Sequence, residues 1–177
     1  HTTPSVICCS RSGLPALEHS SVEKASKGAY TIIGEDIDLA RVDLIIIGTG
    51  SEVGICVKAA AKLAESGIKT RVVSMPCQEI FLAQSDEYRR SVLPGNVPTL
   101  SVEAAAEHGW HRFSHAQIGM TRFGMSGPGG ELFIKFGFST ENVTEKGKAL
   151  VEFYKGGNVP DLMNRPIFNN IVGTIDH

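Results

Sequence analysis

A chain of 177 residues with 42% hydrophobic and 20% charged residues has the composition of a folded domain that buries its own core, not of a disordered segment. A formal charge of −2 supplies no basic field, so neither nucleic acid nor an anionic membrane surface is an expected partner. Cysteines 8, 9, 56 and 77 form no C-x-x-C pair, no apolar run approaches the ~20 residues of a membrane span, and no signal segment is visible, so the cytoplasm is the expected compartment.

In chain order, residues 6–9 predict a short strand that stops at Ser10-Arg11, followed by a polar connection through Pro15 to residue 21. A single strand cannot stand alone, so an arm lacking sheet partners is expected here. Ser21 opens a helical turn, and residues 30–33 read as an edge strand. The core of the chain is 43–75. Leu44, Ile45, Ile46 and Ile47 form a continuous aliphatic block, the mark of a strand buried on both faces, and it ends at Gly48-Thr49-Gly50-Ser51. Val53, Val57, Ala60, Ala61 and Ala64 then recur at helical spacing, with Ser51 as the expected cap and Gly67 as the stop. Residues 68–73 return as a strand, and the right-handed crossover rule makes the two strands parallel.

Residues 84–92 predict a helix with Asp86, Glu87, Arg89 and Arg90 exposed, and 99–103 a third parallel strand. Gly109 weakens any helix over 104–115. Residues 117–123 read as a strand, 124–130 as a glycine-rich loop, and 130–136 and 140–154 as two helices. Beyond Gly156-Gly157, Leu162, Met163, Ile167, Phe168, Ile171 and Val172 make the tail too apolar for a linker, so it is expected against the body or a partner. The fold class is α/β, a mostly parallel sheet of about five strands flanked by helices.

The turn after the first core strand has the spacing G-x-G-x-x-x-G, and the next strand ends Ser74-Met75-Pro76 with no acid to hold a ribose, which disfavours a nucleotide-dependent oxidoreductase. Two readings stay open: a tight structural turn, or an anion-binding turn formed by Gly48, Thr49, Gly50 and Ser51, which Glu52 would oppose if it faced the site. His108, His111 and His115 lack the glutamate of H-E-x-x-H and read as solvated or core-bonded, so no metal site is expected. No serine lies in G-x-S-x-G. Arg11, directly after an apolar strand, is either a surface arginine or a guanidinium fork offered to a phosphate or carboxylate at the end of a sheet.

Seven blocks bear on that choice: Cys9-Ser10-Arg11-Ser12-Gly13-Leu14-Pro15, Lys27-Gly28-Ala29-Tyr30, Ile47-Gly48-Thr49-Gly50-Ser51-Glu52-Val53, Val72-Val73-Ser74-Met75-Pro76, Ser101-Val102-Glu103-Ala104, Phe123-Gly124-Met125-Ser126-Gly127 and Phe136-Gly137-Phe138-Ser139. Their order and intervals closely resemble the C-terminal quarter of transketolases. The resemblance implies a thiamine-diphosphate enzyme that moves a two-carbon ketol unit from a ketose phosphate to an aldehyde. It implies that residues 1–29 are the end of a pyrimidine-binding domain and a linker, 30–155 the C-terminal domain, and 156–177 an extended tail. Thiamine diphosphate and Mg²⁺ (or Ca²⁺) would be held by upstream domains of a homodimer, so this chain alone is expected to bind neither and to be inactive. Arg11 resembles the family's ligand for the substrate's terminal phosphate. Dihydroxyacetone synthase, a relative with formaldehyde as acceptor, and a non-catalytic anion- or partner-binding module are the alternatives.

Overall fold

The computed structural model describes residues 6–10 and 13–165. Its elements are α1 (Val22–Ala25), β1 (Tyr30–Ile33), β2 (Leu44–Gly48), α2 (Val53–Glu65), β3 (Thr70–Ser74), α3 (Gln78–Leu82), α4 (Asp86–Val92), β4 (Thr99–Ala106), β5 (Ala116–Met120), α5 (Gly129–Lys135) and α6 (Thr140–Tyr154). Short 3₁₀ turns lie at Leu39–Arg41, Gly50–Glu52 and Trp110–Arg112. The strands form one sheet in the order β1-β3-β2-β4-β5. β2 runs parallel to β3 and β4, β4 runs parallel to β5, and β1 pairs antiparallel with β3. This is the α/β architecture expected from the sequence.

The sheet is organised on β2, whose residues Leu44 to Ile47 are each fully buried. Side chains alternate across a strand, so the aliphatic block feeds two cores. Leu44 and Ile46 pack with Val53, Cys56, Ala59 and Leu63 of α2 and with Val143 and Leu150 of α6. Ile45 and Ile47 pack on the opposite face with Val73, Met75, Phe81, Trp110 and Phe113. The result is a sheet between two helical layers. α6 reaches β2 and α2 through Gly147, where an added Cβ would lie 2.9 Å from Leu44 Cδ2 and 3.3 Å from Leu63 Cδ1. On the other face, Gly28 has φ +85°, and a Cβ there would collide with the Phe81 amide nitrogen and the Cys77 carbonyl. Cys77 donates its backbone N–H to the Gly28 carbonyl, which fixes α3 against the start of β1.

Several local expectations are corrected. Residues 6–9 form no strand: Val6 and Ile7 are 88% and 87% exposed and pair with no other strand among the described residues. Ser51 does not cap α2. The chain first makes the 3₁₀ turn at Gly50–Glu52, so the helix begins at Val53 with Glu52 in the cap position and no side-chain cap bond. The helical segment expected over 84–92 starts at Asp86, because Ser85 accepts the Tyr88 N–H as its cap, and a separate helix, α3, precedes it. Arg89 and Arg90 are half-buried, not exposed. β4 runs on to Ala106, and β5 stops at Met120, which leaves Phe123 96% exposed in the loop. Residues 160–165 lie against the body: Arg90 Nη1 donates to Asp161 Oδ2 at 2.9 Å, and Met163 packs on the second core.

Candidate functional site

β3 lies to one side of β2 and β4 to the other, so the carboxyl ends of β2 and β4 flank the position where the strand order reverses, the usual ligand crevice of an open α/β sheet. The candidate turn Gly48, Thr49, Gly50, Ser51 sits there. Gly48 is buried at the end of β2, and a Cβ on it would lie 2.9 Å from Cys56 Sγ and 3.1 Å from Val53 Cα, so close packing of helix on strand already requires the glycine. Gly50, exposed, takes φ +53° to start the 3₁₀ turn. Thr49 makes no side-chain cap bond.

The electrostatics are set by Glu52, which is only 4% exposed. Ser51 Oγ donates to Glu52 Oε1 at 2.9 Å, so the hydroxyl that an anion would need is committed to a carboxylate. Burial pushes the Glu52 carboxyl above its ordinary pKa; the Ser51 hydrogen bond opposes the shift and the Glu103 charge adds to it. Glu103, at the end of β4's buried stretch, accepts a 2.7 Å hydrogen bond from Trp110 Nε1. Two carboxyl groups, Glu52 and Glu103, therefore stand near each other at the carboxyl ends of β2 and β4, and their charges oppose an anion at this turn.

Thiamine diphosphate with its divalent cation needs a cradle for the diphosphate and a set of oxygen ligands for the metal. The turn at the end of β2 has the Glu52 and Glu103 carboxyl groups beside it, whose charges oppose a diphosphate. Among the described residues no group of three or more His, Cys, Asp or Glu converges. The described residues do not fit the cofactor. His115 is tied into the fold: Nδ1 accepts the Thr99 backbone N–H at 3.1 Å, and Nε2 lies 2.9 Å from the Pro160 carbonyl, which it can meet only as an N–H donor. Ser101 is buried with Ser114, their hydroxyl oxygens 2.8 Å apart, in a hydroxyl pair with no histidine. Arg11 lies outside the described residues.

Sequence reasoning missed Arg71. It stands on β3, two residues before Val73 and hence on the same sheet face, yet it is a buried charge in an apolar register. That mismatch was the available signal. The pairing of Glu103 with Trp110 was also missed, since the two come together only once β4 extends and Gly109, at φ +90°, turns the chain back.

The family model for the transketolase-like TK C-terminal domain matches residues 28–139. The transketolase of Scheffersomyces stipitis is 48% identical over 157 residues, covering 89% of this chain and 23% of the relative. Transketolase 1 of Saccharomyces cerevisiae is 49% identical over 154 residues, covering 87% of this chain and 22% of the relative. Among solved structures, the Pichia stipitis transketolase in complex with sedoheptulose 7-phosphate superposes with a TM-score of 0.82 at 46% identity, over 89% of this chain and 23% of that one. The transketolase of Leishmania mexicana gives 0.77 at 43% identity, over 83% of this chain and 21% of its own. The chain thus spans less than a quarter of the length of these relatives. With its five-stranded sheet and the glycine turn at the end of β2, it belongs to the transketolase C-terminal domain family.

Proposed function

We propose that the chain works within a thiamine-diphosphate-dependent transketolase-type transferase, which moves a two-carbon ketol unit from a ketose phosphate to an aldehyde, and that its own part is scaffold and dimer support. The observation that carries this reading is the family match over 28–139 together with 46% identity and a TM-score of 0.82 to a transketolase described in complex with a sugar phosphate. Because the described residues do not fit thiamine diphosphate, the cofactor and its Mg²⁺ or Ca²⁺ are assigned to the remainder of a homodimeric enzyme. Residues 1–29 are read as the end of the pyrimidine-binding domain and its linker, 30–155 as the C-terminal domain, and 156–177 as its tail. An aldose phosphate is preferred to formaldehyde as acceptor, since the fungal relatives at 48% and 49% identity are transketolases.

All four cysteines are free, which supports a reducing, cytoplasmic setting, and no helix of the described residues is long and apolar enough to cross a membrane. An anion- or partner-binding role for Gly48, Thr49, Gly50 and Ser51 has the buried Glu52 carboxyl against it.

Arg11 is read as the anchor of the substrate's terminal phosphate. In an active enzyme of full family length carrying this chain, Arg11→Ala is expected to raise KM for phosphorylated donors by roughly tenfold or more, the scale of a lost charge-assisted pair, while sparing an unphosphorylated ketose. Equal losses on both donors would overturn the assignment. The purified chain by itself is expected to show no ketol transfer, and transfer by that chain would overturn the scaffold reading.

A further inference from the structure

Three arginines gather at one small pocket. It has a volume of about 320 Å³, at the small end of sites that hold organic molecules, and lies between the end of α3, α4, the 3₁₀ turn at Trp110–Arg112 and the segment 160–165. Leu82, Ala83 and Met163 make its apolar wall, and Arg89, Arg112 and Arg165 are its charged lining, with no carboxylate among the described residues that line it. Asp86 and Asp161 are engaged chiefly by Arg90, at 2.8 and 2.9 Å, and Asp86 reaches Arg89 Nη2 only at 3.4 Å. The fold holds the three lining guanidinium groups incompletely. Arg89 donates Nη1 to the Leu82 carbonyl at 3.4 Å, and its Nε is buried with no hydrogen-bond partner among the described residues. A buried N–H left in this way is uncommon and marks an unfinished polar site. Arg165 Nη2 donates to the Arg112 carbonyl at 3.4 Å, which brings the two exposed arginines together at the rim. The Arg112 guanidinium has no ion pair among the described residues, and its central carbon stands 5.6 Å from the centre of the Phe113 ring. Like charges around one pocket repel, and an anion between them turns that repulsion into attraction.

We propose that this pocket binds a phosphate monoester dianion with a small apolar body, its phosphoryl oxygens on the terminal nitrogens of Arg89, Arg112 and Arg165 and its body against Leu82, Ala83 and Met163. Three guanidinium forks with no lining carboxylate favour a dianion over a single carboxylate, and their planar donor pairs match phosphoryl oxygens. The protein covers Arg89 Nε, so the ligand meets the terminal nitrogens, whose 3.4 Å bonds are long enough to yield to a charged acceptor. Because Met163 and Arg165 lie beyond α6, the bound anion ties that segment to α3 and α4.

The test is calorimetric titration of the 177-residue chain at pH 8 and low ionic strength, where a phosphate monoester is a dianion, with phenyl phosphate, inorganic phosphate and benzoate. The chains compared are wild type, Arg112→Gln, Arg165→Gln and Arg11→Ala. Arg112 and Arg165 are exposed, so their replacement leaves both cores intact. The expected result is saturable binding of phenyl phosphate, tighter than that of inorganic phosphate and about tenfold tighter than that of benzoate. It falls about fivefold or more in each glutamine variant and is unchanged in Arg11→Ala, which separates this pocket from the residue read as the substrate's phosphate anchor. Absence of saturable binding, equal binding of benzoate or of inorganic phosphate, or affinity unchanged in either glutamine variant would each overturn the proposal. Loss of binding in Arg11→Ala would do so as well, by assigning the phosphate to Arg11.

Discussion

Glu52 carries an unusual load for one residue. It stands where a helix meets the end of the central strand, it is almost wholly buried, and its carboxyl accepts a hydrogen bond from the Ser51 hydroxyl. A carboxyl whose folded pKa lies above its unfolded value binds its proton more tightly in the native state. Below the unfolded value both states are protonated and the site is neutral for stability; as pH rises from there through the raised folded value, stability is lost. Glu52→Gln keeps an oxygen to accept the Ser51 hydroxyl and removes the buried charge. It is expected to stabilise the chain by on the order of 1 kcal/mol at pH 8, with the gain vanishing toward pH 4, as read from urea midpoints at the two pH values. A variant less stable than wild type at pH 8 would contradict this reading of the crevice.

At the scale of the elements, α6 packs closely on β2 and α2 in the first core. Gly147 allows it, and Gly147→Leu would force a side chain into the space of Leu44 and Leu63, at an expected cost of about 1–3 kcal/mol in urea unfolding. A neutral result would mean that α6 can move off the sheet. α6 was also the element most fully legible in the sequence, since its apolar spacing gives both ends, Thr140–Tyr154. β2 was legible because burial on both faces leaves an unbroken aliphatic run. α3 was not, because five residues after a proline are too few to show a helical period. The arm at 6–9 has the pattern of a strand, but a strand exists only with a partner, and the described residues supply none. For the site, the glycines at the end of β2 could be read in advance. The sign of the crevice could not, because it depends on whether Glu52 turns inward and on Glu103 arriving from a strand some fifty residues away.

At the scale of the molecule, both faces of the sheet are closed by helices and the two cores are filled with aliphatic and aromatic side chains. At the strand-order reversal that the sheet topology offers, the Glu52 and Glu103 carboxyl groups stand near each other, and the chain covers about 23% of its transketolase relatives. These features are consistent with the proposed role of supporting a catalytic centre built elsewhere. The most direct test is calorimetric titration of the purified 177-residue chain with thiamine diphosphate and Mg²⁺. No saturable binding is expected. Tight binding would contradict the supporting role and place the cofactor site within this chain.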